Sequence, residues 1–77
     1  MSVQDTILWE IRVSGGSEKR IIEHTMSDCN VEASVVRNAI DSLLDQGIIR
    51  SVPHSEMDDT ERRYCESDRC TIYRRVE

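Results

Sequence analysis

Residues 28–49, DCNVEASVVRNAIDSLLDQGII, carry the pattern that decides the fold. Val36, Ile40, Leu43 and Leu44 recur at helical spacing, which puts them on one inward face. Gly47 stands where a helix is expected to end in a left-handed residue. At the other end lies Asn30, one of the few residue types besides glycine that tolerate positive φ, so it suits a sharp turn. Val31 is then expected to point back inward. If the apolar stripe meets a core, Ala33, Ser34, Arg37, Asn38 and Asp41 face outward.

The flanks extend this pattern. Upstream, Ile22, Met26 and Cys29 fall at i, i+4 and i+7, a second helix with a core-facing stripe. Ser17 is its expected cap, and Glu18 sits against the positive end of its dipole. Gly15 and Gly16 separate it from a first helix. There Ser2 and Asp5 make a capping-box-like start, and Val3, Ile7, Leu8 and Ile11 keep helical spacing. Downstream of Gly47 the period changes. IIRSV is short, β-branched and alternating, and Pro53 closes it or places it at an edge. HSEMDDTE reads as a polar loop, and ERRYC as loop or outgoing strand. CTIYRRV alternates again, with Thr71, Tyr73 and Arg75 on one face and Ile72, Arg74 and Val76 on the other.

These signals predict helices over about 3–14, 18–28 and 32–46, and strands over about 48–53 and 70–76. A loop over about 54–69 joins the strands. The expected class is α+β, mainly α, in a single domain spanning 1–77. Seventy-seven residues bury only a modest core. The first residues lack the basic and apolar blocks of a signal peptide, and no apolar run reaches the ~18 residues of a membrane span. The expectation is a soluble cytoplasmic protein without membrane contact. Net charge is −5.

The order helix, helix, sharp turn, helix, Gly, strand, loop, strand resembles the winged helix-turn-helix family, in the manner of ArsR-like and MarR-like transcription regulators. SVVRNAIDSLLDQGII resembles the family's recognition helix and its exit, and TIYRRVE its closing wing strand. Asn30 occupies the turn position where the family usually has Gly. The chain departs from the pattern in having Glu32 where a Ser or Thr cap is usual, so Asn30 becomes an alternative cap. Its loop is long and acidic, and no extra dimerisation helix is visible.

The resemblance implies a partner, double-stranded DNA, met by the third helix in the major groove. Arg37 has the geometry to pair bidentately with guanine and Asn38 with adenine, Ser34 to donate to the DNA, and Val35 to pack on a thymine methyl. Each good base contact discriminates by roughly 1–3 kcal/mol. Phosphates would be held by Lys19 and Arg20, and by Arg62, Arg63 and Arg69 near the wing tip. Local charge agrees with this better than net charge does. Residues 1–47 carry −4 and residues 48–77 carry −1, yet residues 62–75 alone carry +3. Affinity for phosphate comes from such local clusters. Asp41 and Asp45 on the third helix and the cluster Glu56, Asp58, Asp59 and Glu61 oppose it. Monomer binding is therefore expected to be weak, with a homodimer or protein partner supplying affinity.

Cys29, Cys65 and Cys70 make no even disulfide framework, and reduced thiols are the expectation for a cytosolic chain. Cys65, Cys70 and His54 make a weak zinc set, one ligand short of four. Cys29 is expected in the core of the turn, Trp9 and Tyr73 in packing, and His24 exposed without a partner. No nucleophile-base set and no Gly-rich phosphate loop is present, so no enzyme and no cofactor are expected. Two alternatives to a DNA-binding regulator stand beside it: a winged-helix module that meets a basic protein through its acidic surface, and a sensor built on the wing cysteines.

Overall fold

The computed structural model describes residues 2–14, 16–65 and 70–76. Three main helices, α1 (Val3–Ser14), α2 (Glu18–Cys29) and α3 (Ala33–Asp45), precede strand β1 (Ile49–Ser51). A 3₁₀ turn (His54–Glu56), a short helix α4 (Asp59–Tyr64) and strand β2 (Tyr73–Arg75) follow. The two strands pair antiparallel, with Ile49 opposite Arg75 and Ser51 opposite Tyr73. The chain is thus mainly helical α+β. No helix among the described residues is long and apolar enough to cross a membrane.

Each main helix begins and ends for a local reason. At α1 the Ser2 hydroxyl accepts from the Asp5 amide at 3.1 Å, relieving one of the orphan donors of the first turn. Asn30 adopts the left-handed conformation at φ 52°, ψ 51° and ends α2. After α3, Gly47 at φ 71° lets its own amide reach Leu44 and the Ile48 amide reach Leu43, the paired bonds of a Schellman ending.

The core forms where the three helices meet the sheet. Ile7, Ile21, Val36 and Leu43 are almost wholly enclosed, with Ile22, Ile40, Ile49 and Tyr73 around them. Val3, Leu8, Ile11, Val31 and Leu44 pack against this cluster. The inward face of α2 differs from the expected stripe. Ile21, Ile22 and Thr25 are buried while Met26 is 36% exposed. Adjacent residues Ile21 and Ile22 are both covered because α2 is packed by α1 on one side and α3 on the other. His24 is not partnerless: its Nδ1 lies 2.8 Å from Glu10 Oε2, an otherwise buried carboxylate of α1. Trp9 is half exposed rather than a packing residue.

Of the segment expected as a polar loop over 54–69, residues 54–65 are described, and they fold locally. Asp58 accepts from the Glu61 amide at 2.8 Å, and the Glu61 carboxylate accepts from the Asp58 amide at 3.0 Å. This reciprocal capping box starts α4. ERRYC is therefore neither loop nor strand over most of its length. A second small cluster, Val52, Met57 and Ile72, packs Cys65 and Cys70 beneath α4. The strands are shorter than expected; beyond them the Val52 amide still donates to the Ile72 carbonyl at 2.8 Å, and both side chains join that cluster. Ile72, just before β2, and Tyr73, its first residue, are both buried, one in each cluster, so the alternation expected over 70–76 does not hold there.

Cys65 and Cys70 are joined in a disulfide with a Cα–Cα separation of 5.4 Å. This corrects the expectation of reduced thiols, since both residues converge on the same small cluster. Their sulfurs face each other rather than His54, so the weak zinc set is not assembled. No group of three or more His, Cys, Asp or Glu among the described residues could hold a metal ion. Cys29 is partly buried and donates to the Thr6 hydroxyl at 3.4 Å, linking α2 to α1.

Candidate nucleic-acid interface

The outward face of α3 is set by its inward one. With Val36, Ile40 and Leu43 buried, the helical period leaves Ser34, Val35, Arg37 and Asn38 exposed, as are Asp41 and Asp45. Val35 is 43% exposed, high for a β-branched apolar residue. Neither Asn30 nor Glu32 caps α3 with a side chain. Glu32 holds the N-cap position through its backbone, accepting from the Val35 amide at 3.1 Å, while Asn30 serves α2.

Arg37 stands at the junction of two shallow depressions. One, of about 150 Å³, also holds Glu18, Asp41 and Tyr73. The other, of about 310 Å³, also holds Ser17, Lys19, Glu23 and Thr71. Lys19 of α2 and Arg37 of α3, two cations that lie apart in sequence, thus line the same depression. Glu18, Glu23 and Asp41 share the neighbourhood. Arg20 is exposed on the first turns of α2. Arg62 and Arg63 are exposed on the last turn of α4. Arg69 lies outside the described residues.

Tyr73 anchors this face from below. Its hydroxyl donates to Glu18 Oε2 at 2.7 Å, joining β2 to the start of α2. The same junction is closed by backbone. The Tyr73 amide donates to Gly16 at 2.8 Å, the Glu18 amide donates to Thr71 at 2.9 Å, and Ser17 bridges Ile72. Ser17 thus starts α2 as a strand-like residue rather than as the expected side-chain cap. The Thr71 carbonyl, just before β2, takes the first orphan donor of the helix, the Glu18 amide.

Burial pushes the Tyr73 phenol well above the ordinary tyrosine range. The Glu18 hydrogen bond and the charges of Glu18 and Asp41 add to the effect, and Arg37 opposes it. An unfolded tyrosine ionises near pH ~10, whereas the folded one keeps its proton there. The folded state then binds more protons than the unfolded state, so stability falls as pH rises above about 10. Tyr73→Phe is expected to cost about 1 kcal/mol at neutral pH through the lost bond to Glu18. It should also flatten the alkaline decline, and chemical denaturation at pH 7 to 11 measures both.

Several of these links escaped the sequence reading. The Asp58-x-x-Glu61 spacing was a usable signal for α4, equivalent to the Ser2-x-x-Asp5 spacing at α1. The Arg74–Glu61 pair, at 2.5 Å, and the Arg50–Glu56 pair, at 3.3 Å, had no local signature. They commit Arg74 to the acidic cluster and so remove one cation from the locally basic run of residues 62–75. Compared with protein-family models, curated proteins and solved structures, the chain matches none.

Proposed function

We propose that the chain is a small winged-helix DNA-binding protein, a cytoplasmic transcription regulator that lays α3 in the major groove. One observation carries this reading. Ser34, Arg37 and Asn38 share the exposed face of α3, and none of these side chains makes a hydrogen bond or ion pair among the described residues. Uncommitted Arg and Asn side chains near the N-terminal half of a helix suit bidentate readout of guanine and adenine. The left-handed Asn30 turn between α2 and α3 and the two-stranded sheet after α3 suit the same docking. Lys19, Arg62 and Arg63 would hold phosphates. Glu18, Glu23 and Asp41 around Arg37 weaken the local field, so a single copy binds weakly and a dimer or partner adds affinity.

Binding at low salt to random and selected duplexes, followed by NMR, tests the reading. Arg37→Ala and Asn38→Ala are each expected to weaken selected duplexes by about 10- to 100-fold and random ones little. Arg62→Ala and Arg63→Ala should weaken all duplexes and each lower the salt slope by about 1. Equal losses on every sequence would remove the base-reading roles. Absence of any duplex binding would favour the acidic protein-interaction module instead.

The Cys65–Cys70 disulfide favours a redox-sensing version of the same function. Cys70 lines the depression shared by Lys19 and Arg37. A dithiol reductant would convert the disulfide to two thiols, itself becoming a disulfide, and release Cys70, which lines that depression, from Cys65. DNA affinity measured with and without reductant, alongside intact mass, tests this: an unchanged affinity across a confirmed two-hydrogen mass shift refutes it.

A further inference from the structure

A second cleft, of about 750 Å³, opens between α1 and the sheet and shares no residue with the α3 depressions. Leu8 and Ile11 of α1 form an apolar wall, and Val76, 43% exposed, closes one end. Four arginines line the rest: Arg12 from α1, Arg50 from β1, and Arg74 and Arg75 from β2. The chain has ten lysines and arginines and a net charge of −5, so four arginines in one cleft stand out against the overall charge. Arg50 and Arg74 are held by Glu56 and Glu61. Arg12 and Arg75 are exposed and have no hydrogen bond or ion pair among the described residues.

From this cleft we propose a binding site for a small amphipathic anion, a carboxylate or phosphate monoester carrying an aliphatic or aromatic body. The volume lies in the range of small-molecule sites, roughly 300–1,000 Å³. Arg12 and Arg75 take the anionic head as charge-assisted donors. Arg50 and Arg74, balanced by Glu56 and Glu61, keep the rim ordered, and its positive charge comes from Arg12 and Arg75. Leu8, Ile11 and Val76 bury the apolar body. A neutral ligand leaves the two uncommitted guanidiniums unused, and a simple inorganic anion leaves the apolar wall wet. A second copy joined across a two-fold axis here would set arginines against arginines. The site stands whether or not α3 binds DNA.

Octanoate and octyl phosphate, titrated below their micellar concentrations into isotope-labelled protein, test the proposal. Saturable shifts are expected at residues 8–12, 50 and 74–76, with affinity at least about tenfold above that for octyl glucoside or inorganic phosphate. The double variant Arg12→Gln, Arg75→Gln should weaken octanoate about tenfold with an unchanged melting curve. Val76→Ser should weaken octanoate and leave inorganic phosphate unaffected. Equal binding of octyl glucoside, unaltered binding by the double variant, or shifts centred elsewhere would overturn the site. So would binding confined to phosphatidylglycerol vesicles, or displacement of the monomeric anions by duplex DNA alone.

Discussion

Gly16→Ala should be among the most damaging single-methyl changes in the chain, lowering stability by roughly 3 kcal/mol or more. Two causes add. Gly16 holds φ 80°, where an L side chain is strained. A Cβ there would also overlap the Tyr73 carbonyl oxygen, a backbone atom of β2 that cannot swing away as a flexible side chain would. Relief would require moving β2 away from the start of α2 and would break the bond from the Tyr73 amide to Gly16. Gly47→Ala is the control. Its φ of 71° carries the same kind of strain, yet nothing lies within 4 Å of the added carbon. Its cost should stay near 1–2 kcal/mol. For a domain of this size the first variant should melt about 12–24 °C lower and the second about 4–16 °C lower. Equal losses would show that only the dihedral matters and that the junction with Tyr73 is loose.

Glu61→Ala should cost about 2 kcal/mol, a melting decrease of about 8–16 °C, and unravel α4. The side chain is buried and has three roles. It accepts from the Asp58 amide and receives both the Nε and a terminal nitrogen of Arg74. It thereby fixes α4 to β2, since a six-residue helix has too few bonds of its own to persist. Removing it takes the acceptor from the Asp58 amide and frees Arg74. Glu61→Gln keeps an acceptor for the amide but loses the charge, so about half of the loss is expected. Amide exchange at residues 59–64 separates the outcomes: protection kept in the Ala variant would show that the Val52–Met57–Ile72 cluster alone holds α4. The same variant bears on function, because α4 carries Arg62 and Arg63. If those residues hold phosphates, Glu61→Ala should weaken DNA binding on all sequences alike.

The three main helices and their ends were legible because each is written in short-range chemistry. Ile7 with Leu8 and Ile11, and Val36 with Ile40 and Leu43, repeat at the helical period, and Asn30 and Gly47 occupy positions of positive φ. The α2 stripe departs from its expected face at Met26 because period alone does not say how many neighbours flank a helix. The connection between the strands was misread for a different reason. Its polarity suggested a solvated loop, yet Met57, Cys65 and Cys70 supply enough apolar surface, together with Val52 and Ile72, to fold it. Within the candidate interface, Ser34, Val35, Arg37 and Asn38 followed from the helical period. That Lys19 and Arg37 line one depression did not, since it depends on how α2 packs on α3.

By itself, then, the sequence determined the helices, the turn between α2 and α3, and which side of α3 faces out. Those features rest on dihedral preferences and on apolar spacing within a few residues. Only the tertiary structure decided which charges are spent and which remain free. Glu61 takes Arg74, Glu56 takes Arg50, Glu18 takes the Tyr73 hydroxyl, and Glu10 takes His24. Such pairings join residues from 6 to 55 positions apart. Local propensity does not specify contacts at those separations; they arise when helices and strands close around a shared core. Among the described residues, Arg37 and Lys19 on one side and Arg12 and Arg75 on another are cations the folded domain still has to offer a partner.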